Sequence, residues 1–214
     1  MKSPVVVTSI NALLWGLALS LLTVSAEAKP KATTKYKYYT ITGDTPAAIY
    51  AAMIKRGPDV NGVNAYASTL ATSTQSGRLL QGTTCKVQDY NFNINFTINL
   101  PKLRNEAALE GETKAKWAEF KSFLKSHEET HRSIWIGCAQ TLEGKIEALR
   151  TKNCKTMDKQ AAKMWQGART QCDVKHKAWD KAEQKRLLRH PFVALVLGNQ
   201  LRTLTAVKGL KRVK

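Results

Sequence analysis

After Val24 the chain contains no apolar run long enough to cross a membrane, which excludes a helical membrane domain there. It contains no Cys-x-x-Cys pair, which argues against a cysteine-built zinc knuckle. It contains no internal repeat, so a solenoid or a propeller is excluded as well. It is also short of acid: 16 Asp and Glu face 34 Lys and Arg in 214 residues, a formal net charge of +18. The shortage is deepest in residues 150–214, where 17 basic side chains meet only Asp158, Asp173, Asp180 and Glu183. Such a field attracts polyanions, for example an acidic envelope component, without specifying one. It gives no reason to expect specific nucleic-acid recognition.

What is present begins with a leader. Met1-Lys2, an apolar stretch over 10–24 and the small-x-small triplet Ala26-Glu27-Ala28 read as a secretory signal peptide, residues 1–28, cleaved after Ala28. A secreted or periplasmic location is oxidising. The even set Cys85, Cys138, Cys154 and Cys172 is therefore expected to form two disulfides, with three pairings open on count alone.

Residues 29–35 ("KPKATTK") read as a basic flexible lead-in and 36–190 as one domain, followed by a basic C-terminal tail, 191–214. "YKYYTITG" predicts a strand, and Thr45 or Asp44, Pro46 and Gly57-Pro58 frame a short helix. A second strand is expected over 64–80 with a turn near Ser76-Gly77. In a third, Phe92, Ile94, Phe96, Ile98 and Leu100 alternate with polar residues up to a stop at Pro101. From Glu112 the period changes to three and four, predicting a long helix to about Arg150. After a break with Asp158 as N-cap, a second helix runs to about Leu188. The fold class is α+β: a small N-terminal antiparallel sheet with a short helix, then a long antiparallel helical hairpin.

The first long helix carries His127-Glu128-Glu129-Thr130-His131. Histidines at i and i+4 share a helical face and can reach one Zn²⁺. The glutamate after the first is placed to take a proton from a water at the metal. From this composition such a pentad arises by chance with a probability of roughly 0.003. Both histidines also fall within about 20° of Cys138, at the centre of the apolar stripe.

In this context the chain resembles a bacterial family of secreted zinc-dependent proteases predicted from sequence, a domain also labelled as of unknown function. The resemblance covers residues 38–180. It rests on "YYTITGDTPAAIYAAMIKRGP", "NGVNAYAST", Cys85, Leu100-Pro101, "HEETHR", Cys154 and Trp179-Asp180, where the family has Tyr-Asp. It implies a zincin-like metallopeptidase acting on peptide or protein substrates, with Asp180 as the matching acid. The chain departs where the family continues with a threonine and then His-Gly: it has Glu183 and then Lys185-Arg186.

The hairpin itself constrains the third ligand. Antiparallel packing about a short loop sets Cys138 opposite Cys172, which favours a bridge there and leaves Cys85 for Cys154. The same register brings His176, Asp180 and Glu183 near the two histidines. Asp180 has the best height; His176 and Glu183 face inward better. The expectation is a zinc metallopeptidase with His127, His131 and Asp180 as ligands and Glu128 as base. In that reading the 92–100 strand aligns an extended substrate by edge pairing. The alternative is a non-catalytic basic envelope-binding protein with a vestigial metal site.

Overall fold

A computed structural model of the chain describes residues 30–198, so the expected leader and most of the basic tail lie outside it. Strand β1 (Lys31–Ile41) precedes helix α1 (Pro46–Arg56), and the two-residue strands β2 (Asp59–Val60) and β3 (Val63–Asn64) follow. Next come β4 (Ser68–Gln81), β5 (Cys85–Leu103), α2 (Gly111–Ala148), β6 (Arg150–Thr151) and α3 (Cys154–Leu188). Residues 191–198 are helical and are labelled α4. No helix among the described residues is long and apolar enough to cross a membrane.

The alternating strand is the spine of the sheet. β5 lies at the centre, with β4 antiparallel on one side and β1 parallel on the other. The sheet is therefore mixed rather than wholly antiparallel. α1 and β4 carry the chain across between β1 and β5, and only a direct hairpin obliges its two strands to run antiparallel.

Four local expectations shift. β1 begins at Lys31, so most of the presumed flexible lead-in is strand: residues 31–35 pair with 93–97 of β5. Lysines that suggest disorder are also what an exposed edge strand tolerates. Gly77 lies opposite a bulge rather than in a turn: the register shifts between Ser76 and Arg78, where Asp89 and Tyr90 of β5 face it, and the chain reverses instead at residues 82–84. β5 continues through Pro101 to Leu103. Pro101 lies past the end of β4, whose Ser68 faces Asn99, so one side of it is unpaired and the strand accepts it. The N-cap of α3 is Asn153, not Asp158: its side chain accepts from the Thr156 N–H at 2.9 Å.

α1 follows its sequence signals. Thr45 caps it by accepting from the Ala48 N–H, Pro46 enters at the first turn and Gly57 ends it. A Cβ on Gly57 would lie 1.9 Å from the Ala65 carbonyl oxygen, so only glycine lets the two chains approach so closely.

The long α2 packs on the sheet over two separate cores. Near its start Trp117 and Phe120 join Ile41, Met53 and Ile98. Phe192, Val193 and Val196 of α4 are buried in the same cluster, so residues 191–198 belong to the domain rather than to a tail. Farther along, Ala139, Leu142 and Ile146 cover Phe92, Ile94 and Phe96 of β5. α3 returns along α2. Cys138–Cys172 joins the two helices, and Cys85–Cys154 ties the start of α3 to the start of β5.

Candidate metal centre

Between the two cores, α2 offers no aliphatic side chain from Lys125 to Ser133. Leu124 closes the first cluster and Ala139 opens the second. His127, Glu128 and His131 occupy the interval, turned inward by the same 3.6-residue period that buries their neighbours. The Cys138–Cys172 bridge fixes what stands opposite. Seven residues back along α2 from Cys138 and eight forward along α3 from Cys172 bring His131 against Asp180.

Three donor atoms converge there. Asp180 Oδ1 lies 2.9 Å from His131 Nε2 and 3.3 Å from His127 Nε2, and the two Nε2 atoms are 3.1 Å apart. Ligands about 2.0–2.1 Å from a tetrahedral zinc stand about 3.3 Å from one another, so the set fits that ion. The chemistry agrees with the spacing. Burial lowers the pKa of His127, and lowers that of His131 to about 4, so both rings are neutral at pH 7. Two imidazole lone pairs and a carboxylate oxygen then face one point. A shared proton satisfies one pair among them, whereas one divalent cation satisfies all three.

Glu128 is nearly inaccessible, at 4 % exposure. Thr69 of β4 donates to its Oε2 at 2.8 Å. Burial drives its pKa up to about 7, against the lowering effect of the Thr69 hydrogen bond.

The two other ligand candidates stand behind the histidines. His131 Nδ1 is 2.8 Å from His176 Nδ1, so the tautomer that frees Nε2 for a metal donates its Nδ1–H to His176. Glu183 is buried on the other side of His127, its Oε2 4.0 Å from Nδ1, and its Oε1 accepts from Arg186 at 2.7 Å. Trp179 stacks on the His127 ring with centroids 5.7 Å apart.

Residues 36–187 match a bacterial family of proteins of unknown function, DUF922. The chain belongs to this family. The matched span runs from within β1 almost to the end of α3 and contains every residue of the centre. No curated protein and no solved structure matches the chain.

In this DUF922 chain Lys185 is exposed and lies about 140° around α3 from Asp180. Position 185 therefore does not face the centre, and lysine there removes none of the three converging donors. The centre opens on a cleft of about 660 Å³ bordered by Tyr66, Phe123 and Leu187. Two features had no sequence signal. Thr69 reaches Glu128 only through the pairing of β4 with β5. The 92–100 segment cannot offer a free edge, because β1 and β4 flank it.

Proposed function

We propose that this DUF922 protein is a zinc-dependent peptidase, with His127, His131 and Asp180 as metal ligands and Glu128 as the proton-transferring base. The observation that carries the reading is the mutual 2.9–3.3 Å spacing of the three donor atoms beside a buried glutamate. Zinc bound at this centre would act as a Lewis acid on a peptide carbonyl and lower the pKa of a water molecule.

The chain's own residues supply the rest. Thr69 engages Oε2 of Glu128, leaving Oε1 to take a proton from the attacking water and deliver it to the departing amine nitrogen. Burial holds the pKa of this carboxyl at about 7 in the metal-free chain, and zinc beside it would favour the ionised form that accepts the proton of water. His176 holds the His131 ring in one tautomer, and Trp179 braces His127. Asp180, 54 % exposed, leaves the centre open to the cleft from which a polypeptide would enter.

Glu128→Gln tests the assignment. Hydrolysis of unfolded protein should fall by about 10²–10⁴-fold while one zinc per chain is retained. Undiminished hydrolysis in that variant would remove Glu128 from the mechanism. Absence of zinc from protein purified without chelator would instead favour the basic envelope-binding reading, which the +18 charge supports.

A further inference from the structure

Two edges of the sheet have no strand partner among the described residues, and they differ in kind. β1 carries Lys31, Lys35 and Lys37, the charges with which natural proteins protect an edge from adventitious pairing. β4 carries no charged residue from Ser68 to Ser76, and most of that stretch is exposed. The unguarded edge starts at the centre, where Thr69 holds Glu128.

A groove runs beside it. A cavity of about 390 Å³ lies between Ala71 and Ser73 of β4 and Trp165 of α3, floored by Phe92, Ile94 and Trp135. A second, of about 730 Å³, continues between Gln75, Gly77 and Asp158. Both are lined by Trp165 and Arg169, so they adjoin at these two side chains, and Arg169 lies over the Trp165 ring at 4.9 Å. The near end reaches the back of the centre, where the Trp135 ring packs at 5.0 Å against His176, the partner of His131 Nδ1. The far wall is α3, which presents Arg169 and, at the distal end, Asp158 to the groove; over its whole length the helix carries nine Lys and Arg against four acids.

We infer that this groove is the substrate channel on one side of the scissile bond, and that it takes an extended acidic polypeptide added as a strand to β4. The inference rests on the peptidase reading. The stretch from Thr69 to Ser76, where the register shift begins, is about 23 Å, room for about seven extended residues. β4 runs away from the centre, so an antiparallel partner runs toward it. Residues N-terminal to the cut therefore fill the groove, with backbone pairing for affinity and alternate side chains for choice. A large apolar side chain fits between Trp135 and Trp165, and an acidic one faces Arg169, in the field of the net-positive α3.

Zinc-loaded protein should be given a mixed peptide library and its cut sites read by mass spectrometry. The expected result is enrichment of Asp and Glu, with one large apolar residue, in the seven positions before the cut. Arg169→Glu, an exposed change, should lower the acidic enrichment by about tenfold. In parallel, zinc-free Glu128→Gln protein should bind an acidic decapeptide containing one Phe about tenfold tighter than its lysine counterpart. That preference should fade in high salt. Cutting without enrichment overturns the channel and leaves the peptidase standing. Binding that depends on Arg169 without any cutting keeps the groove and overturns the peptidase. Neither cutting nor binding overturns both, and a dimer that pairs through β4 and excludes the decapeptide overturns the channel.

Discussion

The two long helices contribute to the centre on unequal terms. α2 buries eight of its residues and sits on the sheet, whereas α3 buries only Met157, Cys172 and Glu183. The donors follow the helices: the His127 and His131 side chains are 19 % and 15 % exposed, Asp180 54 %. The α2 donors are set by the turn of one helix clamped between two cores. The α3 donor is set by the register between two helices, and that register hangs on a disulfide. One half of the centre is therefore intrinsic to an element, and the other half is a property of assembly.

Removing a donor from each helix is the largest perturbation of that inequality. His131→Ala should abolish stoichiometric zinc binding, because it removes a fixed donor and strands His176 without its partner. Asp180→Ala should weaken zinc by more than about 100-fold, above what outer partners contribute, yet leave a two-histidine site that still holds the ion at high concentration. Competition with a chromophoric chelator measures both. A larger loss in Glu183→Ala than in Asp180→Ala would transfer the third position to Glu183.

The next perturbation acts on register alone. Replacing Cys138 and Cys172 with serine should cost about 3–4 kcal/mol of stability by chain-entropy arguments. It should also weaken zinc binding, and the loss should overlap that of Asp180→Ala rather than add to it, since both act through one ligand. Replacing Cys85 and Cys154 should cost slightly more stability, because the loop they close is longer, with 69 residues of separation against 34. That pair ties α3 to the sheet far from the centre, so zinc affinity should hold. Equal effects of the two pairs on zinc would refute the dependence on hairpin register.

The same inequality governs what could be read from the chain. The pentad, the apolar stripe and the β5 alternation are local periodicities, and local periodicity survives in a sequence. Both disulfide pairings followed from counting around one loop. Asp180 could be placed near the histidines by that count but not separated from His176 and Glu183, because a half-turn of helix decides which side chain points in. Thr69 was invisible, since it meets Glu128 across 59 residues and through sheet pairing. The sense of β1, the central position of β5 and the burial of Phe192 were hidden for the same reason. Each depends on which surface the rest of the chain leaves open. Composition misled once: Lys31 and Lys35 suggested disorder where an edge strand forms.

The smallest expected effect lies behind the ligands. His176 has two possible parts in the fold: it could be a helix residue packed on Trp135, or it could be the acceptor that fixes the His131 ring. If packing is its whole role, His176→Asn should weaken zinc as much as His176→Ala, because both lose the ring. If the hydrogen bond from His131 Nδ1–H is what matters, His176→Ala should weaken zinc by about tenfold, the lower end for an outer partner. An asparagine carbonyl oxygen reaching the same proton should then restore most of that loss. Lys185→Ala serves as the reference, since its exposed side chain faces away from the centre and zinc affinity should stay unchanged. A tenfold loss in Lys185→Ala would mean that the face of α3 turned away from the histidines also sets the metal, and the division of labour between the helices would have to be redrawn.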